Sequence, residues 1–236
     1  MHRTDTETLT VDGTDPISGE LVARLGEVCD RAEALGGRGR VVVHASGAPT
    51  RAQTEGLTVA LVSRWERAVR RLERLPVTLI GVADGDVGGP ALDALLATDY
   101  RVATPSVRLI VPPVATGDAA GPPGSEATWP GMALYRLAHQ GSHTAAVRRA
   151  LLFGDPIGGL DALALQLLDE VTDDVTAAVA AFAARTGDVS GPELAIRRQL
   201  MMDAGTTSFE EALGTHLAAC DRTLRQEAAR SQGAAV

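Results

Sequence analysis

One stretch constrains this chain more than any other. Residues 75–102 open Leu75-Pro76-Val77-Thr78-Leu79-Ile80-Gly81-Val82-Ala83 and pass into Asp84-Gly85-Asp86-Val87-Gly88-Gly89-Pro90. They close Ala91-Leu92-Asp93-Ala94-Leu95-Leu96-Ala97-Thr98-Asp99-Tyr100-Arg101-Val102. The first part is a near-continuous apolar, β-rich run, which specifies a strand buried on both faces. The middle reads as a glycine turn. Pro90 sits where a helix has its first residue, a position at which the missing N–H costs nothing. The last part has helical apolar spacing and stops at Asp99. A strand, a tight turn and a helix start leave main-chain N–H groups pointing into a cleft. Such groups bind anions and carbonyl oxygens that are gaining charge. A Gly-Gly pair can equally serve only to let a strand and a helix pack closely.

The flanks read as further α and β elements. Residues 9–12 suit a short edge strand. Asp15-Pro16-Ile17-Ser18 signals a helix start, and Leu21, Leu25, Val28 and Cys29 give that helix one apolar stripe down to about Leu35. Residues 40–45 read as a buried strand ending near His44, which is either a structural histidine or a ligand or base. Residues 46–56 form a turn-rich loop, and 57–75 a long helix. In that helix Val59, Val62, Trp65, Val69 and Leu72 face inward, and Arg64, Glu66, Arg67, Arg70, Arg71 and Glu73 face water.

After the central unit, residues 100–103 and 107–111 read as two short strands. Residues 112–127 are rich in Pro, Gly, Ala and Ser and lack periodicity, a segment expected to lie over the cleft or to move. Trp129-Pro130-Gly131 opens another helix. His139 and His143 have no partner acid at metal spacing. Residues 193–204 and 208–229 suit two terminal helices, the second opened by a capping box of Ser208 and Glu211. The expected organisation is a core domain, 1–185, followed by a helical region, 186–236.

Composition sets the outer bounds. The chain has 236 residues and 45% hydrophobic content, enough for a sizeable core, but only 3% aromatics, so Leu, Val and Ala must fill it. A net charge of −8 argues against wholesale nucleic-acid binding. Cys29 and Cys220 lack metal spacing and read as buried free thiols. No signal peptide and no apolar run of membrane-spanning length is recognisable, so the expectation is a cytoplasmic protein without membrane contact.

The central stretch resembles the heart of the crotonase (enoyl-CoA hydratase/isomerase) superfamily. In that family a Pro-Val strand leads to Asn-Gly, a glycine cluster, a helix with an acidic residue, and a closing Cys-Asp. Here Pro76-Val77, Asp84-Gly85, Gly88-Gly89, Asp93 and Thr98-Asp99 stand in those places. Trp129-Pro130-Gly131 resembles the family's Pro-Gly helix start, and Phe153-Gly154-Asp155-Pro156-Ile157 its Gly-x-x-Ile segment. Residues 160–171 resemble its Ala-rich helix and strand, with Gln166 where glycine is usual. The closest resemblance within the superfamily is to the small crotonase-like accessory proteins of the dihydroxyphenylacetyl-CoA pathway, which feeds dihydroxyphenylglycine into glycopeptide antibiotics.

The resemblance implies an α/β crotonase (ClpP/crotonase-like) spiral of ββα units with a C-terminal helical oligomerisation region, assembled as trimers or hexamers. It implies an acyl-CoA or polyketide thioester as substrate, no separate cofactor, and a type III polyketide synthase as partner. The implied reaction is dehydration or aromatisation of a polyketide thioester. Asp93 and Glu126 fall nearest the family's two acid/base carboxylates. The oxyanion-hole amides fall near Thr54 and on Pro90, and since proline has no N–H, a one-residue slip hands the second role to Gly89. Gly88, Trp129, Pro130 and Gly131 line the substrate. The arginines of residues 64–71 either form an ion-paired, solvated face or meet the phosphates of coenzyme A.

Three functions compete: an enzyme, a non-catalytic accessory subunit that stimulates the synthase by contact, and a hydrolase. The hydrolase ranks last, because no Ser, Cys or Thr lies in 82–97. A dinucleotide site fails on the glycine order.

Overall fold

A computed structural model describes residues 5–50, 56–111, 131–141 and 144–211, with 213, 214, 217, 218 and 225. Its elements are β1 (Thr6–Asp12), α1 (Gly19–Ala34), β2 (Arg40–Gly47), α2 (Val59–Glu73), β3 (Thr78–Gly88), α3 (Gly89–Leu96), β4 (Tyr100–Ala103) and β5 (Arg108–Ile110). There follow α4 (Ala133–Gln140), α5 (Ala145–Phe153), β6 (Ile157–Gly158), α6 (Gly159–Ala164), β7 (Glu170–Val171), α7 (Val175–Thr186) and α8 (Gly191–Asp203).

The sheet runs β1-β2-β3-β4-β7, all parallel. β3 is its spine. Ile80–Ala83 of that strand pairs with β4, and the distal residues Asp86, Val87 and Gly88 pair with β5. The strand is therefore longer than its apolar run. Asp84-Gly85-Asp86, which reads as turn, is carried on as strand by the pairing of Asp84 with β2 and of Asp86 with β5. The bidentate Arg108–Asp86 contact at 2.6 and 2.7 Å fastens that end. The turn contracts to Gly88-Gly89, and Gly89 rather than Pro90 opens α3.

Parallel strands need both faces covered. Val41 and Val43 face the main core with α1, α2 and α3, while Val42 and Ile80 face Ala183 and Phe182 of α7. His44 lies on that second face and is exposed. Every residue of α3 is buried, as expected of a short helix that is apolar all round except at Asp93.

Local chemistry sets the helix ends. Ser18 caps α1 by accepting from Leu21 N–H at 3.1 Å, and Thr58 caps α2 by accepting from Leu61 N–H at 3.1 Å. The Ser208–Glu211 capping box forms as its spacing requires. Cys29 is a buried free thiol, and burial pushes its pKa up to about 11; Cys220 lies outside the described residues.

Two assignments on α2 reverse: Val59, read as inward, is exposed, and Glu73, read as facing water, is buried. Val59 is 88% exposed, because the helix begins there, beyond the reach of the core. Glu73 is buried at 4% exposure, for a reason that lies on α4. α8 is clasped to the core by Arg198, whose guanidinium donates to the carbonyls of Glu73, Leu75 and Val77 at 3.0, 2.7 and 3.1 Å. It also donates to both oxygens of Asp99 at 2.7 Å. Asp99 in turn accepts from Leu79 N–H at 2.9 Å, so the acid that closes the central motif is a structural tie.

Candidate active site

The strand ends converge through glycine. A Cβ on Gly13 would meet the carbonyl oxygens of Gly47 and Gly88 at 2.2 Å each, so the segments that follow β1 and end β2 and β3 touch backbone to backbone. A Cβ on Gly88 would lie 2.9 Å from both Ala48 Cβ and Ile110 O. Gly88 has extended backbone and caps α3, and Gly89 follows with φ +61°, the left-handed region that favours glycine. Pro90 comes next and has no N–H. The first main-chain donor of α3 is thus the Gly89 amide, at the positive end of the helix dipole.

Asp93 lies one turn further on with no exposed surface. Trp65 Nε1–H donates to its Oδ2 at 3.1 Å, and an Arg136 Nη1–H to its Oδ1 at 3.3 Å. Arg136, from α4, also donates to Glu73 at 2.8 Å and to Glu66 at 3.1 Å. Glu66 uses its other oxygen to accept from Met132 N–H at 2.8 Å, tying the start of α4 to α2. Three carboxylates from two helices therefore meet one guanidinium. Burial works against the Arg136 charge, but Glu73, then Asp93, then Glu66 outweigh it, and the pKa ends above the ordinary arginine value. A charge at this depth is tolerable only when paired in this way. This pairing is what buries Glu73.

Of the residues singled out in the sequence, Gly88, Gly89 and Asp93 stand together at the β3–α3 junction, and Gly131 is buried just before α4. Thr54, Glu126, Trp129 and Pro130 lie outside the described residues. Arg136 and the acid role of Glu66 and Glu73 were not singled out. A signal existed: Arg136 stands between Leu134 and Leu137 in an apolar helix, and Glu66 and Glu73 are two helical turns apart on one stripe. Among the arginines of α2, Arg71 is ion-paired at the surface to Asp30 and Glu33. Among the described residues no group of three or more His, Cys, Asp or Glu is placed to hold a metal ion, and no helix is long and apolar enough to cross a membrane.

The comparisons with known proteins agree with this architecture. An enoyl-CoA hydratase from Amycolatopsis orientalis is 50% identical over 220 residues, spanning 93% of this chain and 96% of that protein. At that identity and coverage the chain belongs to the crotonase (enoyl-CoA hydratase) family. No family model matches it. The solved enoyl-CoA hydratase of Shewanella pealeana superposes with a TM-score of 0.72 at 15% identity, covering 94% of this chain and 86% of that one. That of Mycobacterium smegmatis superposes with 0.71 at 18% identity, covering 95% and 90%. These structures share the fold. Gln166, after α6, has φ +59°, the left-handed region, in a residue that does not suit it.

Proposed function

We propose that this chain binds an acyl-CoA thioester at the Gly88-Gly89 turn and works with a type III polyketide synthase in forming 3,5-dihydroxyphenylacetyl-CoA. The observation that carries this reading is the start of α3. Gly89 stands ahead of a proline, and its amide is the first donor of a fully buried helix; in this reading that amide polarises the thioester carbonyl. Family membership supports the thioester, since the A. orientalis relative is an enoyl-CoA hydratase. In this reading Thr54 supplies the second amide. Gly88, Trp129, Pro130 and Gly131 line the thioester, and Asp93 with Glu126 forms the acid/base pair of a dehydration. A homotrimer or hexamer completes it, supported by Met201, Phe209 and Leu217, which are 70%, 75% and 56% exposed at the C-terminal end.

A second reading is favoured by Asp93 itself. A carboxylate with no exposed surface, held by Trp65 and Arg136, is arranged as a structural partner. On that basis the chain is an accessory subunit that stimulates the synthase by contact. One experiment divides the two. The synthase is allowed to turn over, removed by an affinity tag, and this chain is then added to the filtrate. New aromatic product in the filtrate establishes catalysis; product only when both proteins are present together establishes the contact role.

A further inference from the structure

Helices α2, α4 and α8 border a hollow of about 390 Å³. That volume is typical of small-molecule sites and holds a substituted ring, not a nucleotide-bearing thioester. Its chemistry is specific in two ways.

The first is charge. Glu66 and Glu73 line the hollow, and so do Arg70 and Arg136. Arg136 holds both carboxylates, and Arg70 reaches the second oxygen of Glu73 at 3.4 Å. Two cations answer two anions, so a charged ligand would lose its hydration without finding an unanswered counter-charge. Asp93 adds a further negative charge behind Arg136, which turns anions away in particular. Hydrogen-bonding capacity remains, because each carboxylate oxygen has two lone pairs, and Glu66 keeps 18% of its side chain exposed.

The second is the wall. Tyr135 and His139, one helical turn apart, present parallel rings with centroids 5.9 Å apart and planes 4° apart. Met132 and Met202 face the same space. Thioethers are polarisable and favour contact with aromatic edges.

We propose that this hollow is a binding site for an uncharged aromatic ring that carries a hydroxyl group. The hydroxyl donates to the Glu66 carboxylate, and the ring packs against Tyr135 and between the two thioethers. No residue that lines the hollow belongs to the Gly88-Gly89 turn, although Arg136 links the two through Asp93; the proposal does not depend on the thioester reading.

The probe is 4-fluorophenol, added to the full chain labelled with ¹³C at the methionine methyls. The four methionines, Met1, Met132, Met201 and Met202, give four reporters. The expected result is a saturable ¹⁹F shift with Kd on the order of 1 mM, as suits a ligand this small. The Met132 and Met202 signals move with it while Met1 stays still. Tyr135→Ala weakens binding by about tenfold or more, and 4-fluorobenzoate and 4-fluorobenzylammonium bind about tenfold more weakly than the phenol. The proposal is overturned by an absence of saturation, by shifts that spare Met132 and Met202, or by a charged analogue that binds as well as the phenol. Retained affinity in a folded Tyr135→Ala protein overturns it as well. Should that variant not fold, the methionine signals of the unaltered chain decide alone.

Discussion

Helix α2 takes part in two ion clusters whose bond lengths nearly coincide. Arg71 reaches Asp30 and Glu33 at 2.7 Å, with side chains that are 39%, 69% and 46% exposed. Glu66 and Glu73, on another side of the helix, hold Arg136 at 3.1 and 2.8 Å, with Arg136 only 7% exposed. In both clusters the arginine pKa is raised. Bonds to Glu33 and Asp30 raise it at Arg71, while at Arg136 the carboxylates must first overcome burial. The same direction covers opposite energetics. The exposed cluster keeps most of its hydration and gains little from pairing. The buried one has given up its hydration, so it is indifferent to being there but intolerant of losing a member.

Four substitutions test that contrast, the largest expected effect first. Arg136→Leu takes the shared cation from two buried carboxylates, Glu73 and Asp93, and from the partly buried Glu66, and should lower unfolding free energy by about 5 kcal/mol, read as a fall in the urea midpoint; a loss under about 1 kcal/mol would put the two clusters on a par. Arg198→Leu takes the cation from Asp99, which keeps only its bond from Leu79 N–H, and a donor from three carbonyls, and should cost about 3 kcal/mol by the same measurement. Gln166→Gly relieves the left-handed backbone and should stabilise by about 1 kcal/mol; a destabilisation would mean the Gln166 side chain matters more than its φ. Arg71→Ala should cost less than about 1 kcal/mol, and that cost should vanish in 1 M salt, whereas the Arg136→Leu loss should persist.

The same contrast explains what the sequence could disclose. The centre of β3 and the body of α3 are written in local apolar spacing, and the helix starts at Ser18 and Ser208 in short local signals, so these elements are legible. The far end of β3 is not, because Asp84 is held as strand by Ser46 of β2 and Asp86 by Arg108 of β5, the latter more than twenty residues away. Glu73 misleads for a related reason. A charge on an amphipathic helix reads as water-facing, and the partner that buries it, Arg136, is 63 residues distant. At the candidate site the glycines are legible by their type. The role of Asp93 is not, since a carboxylate one turn into a helix reads alike whether it meets a substrate or a buried guanidinium. At Gln166 the resemblance predicts glycine, and the observed φ of +59° is one that favours glycine.

The account rests on the Gly89 amide reaching a thioester carbonyl. Butyryl-CoA labelled with ¹³C at that carbonyl, bound to the full chain labelled with ¹⁵N, tests this directly. The account predicts that the carbonyl resonance and the Gly89 amide proton both move downfield on binding. A bound ligand whose carbonyl resonance is unchanged, while the Gly89 amide stays where it was, would contradict it.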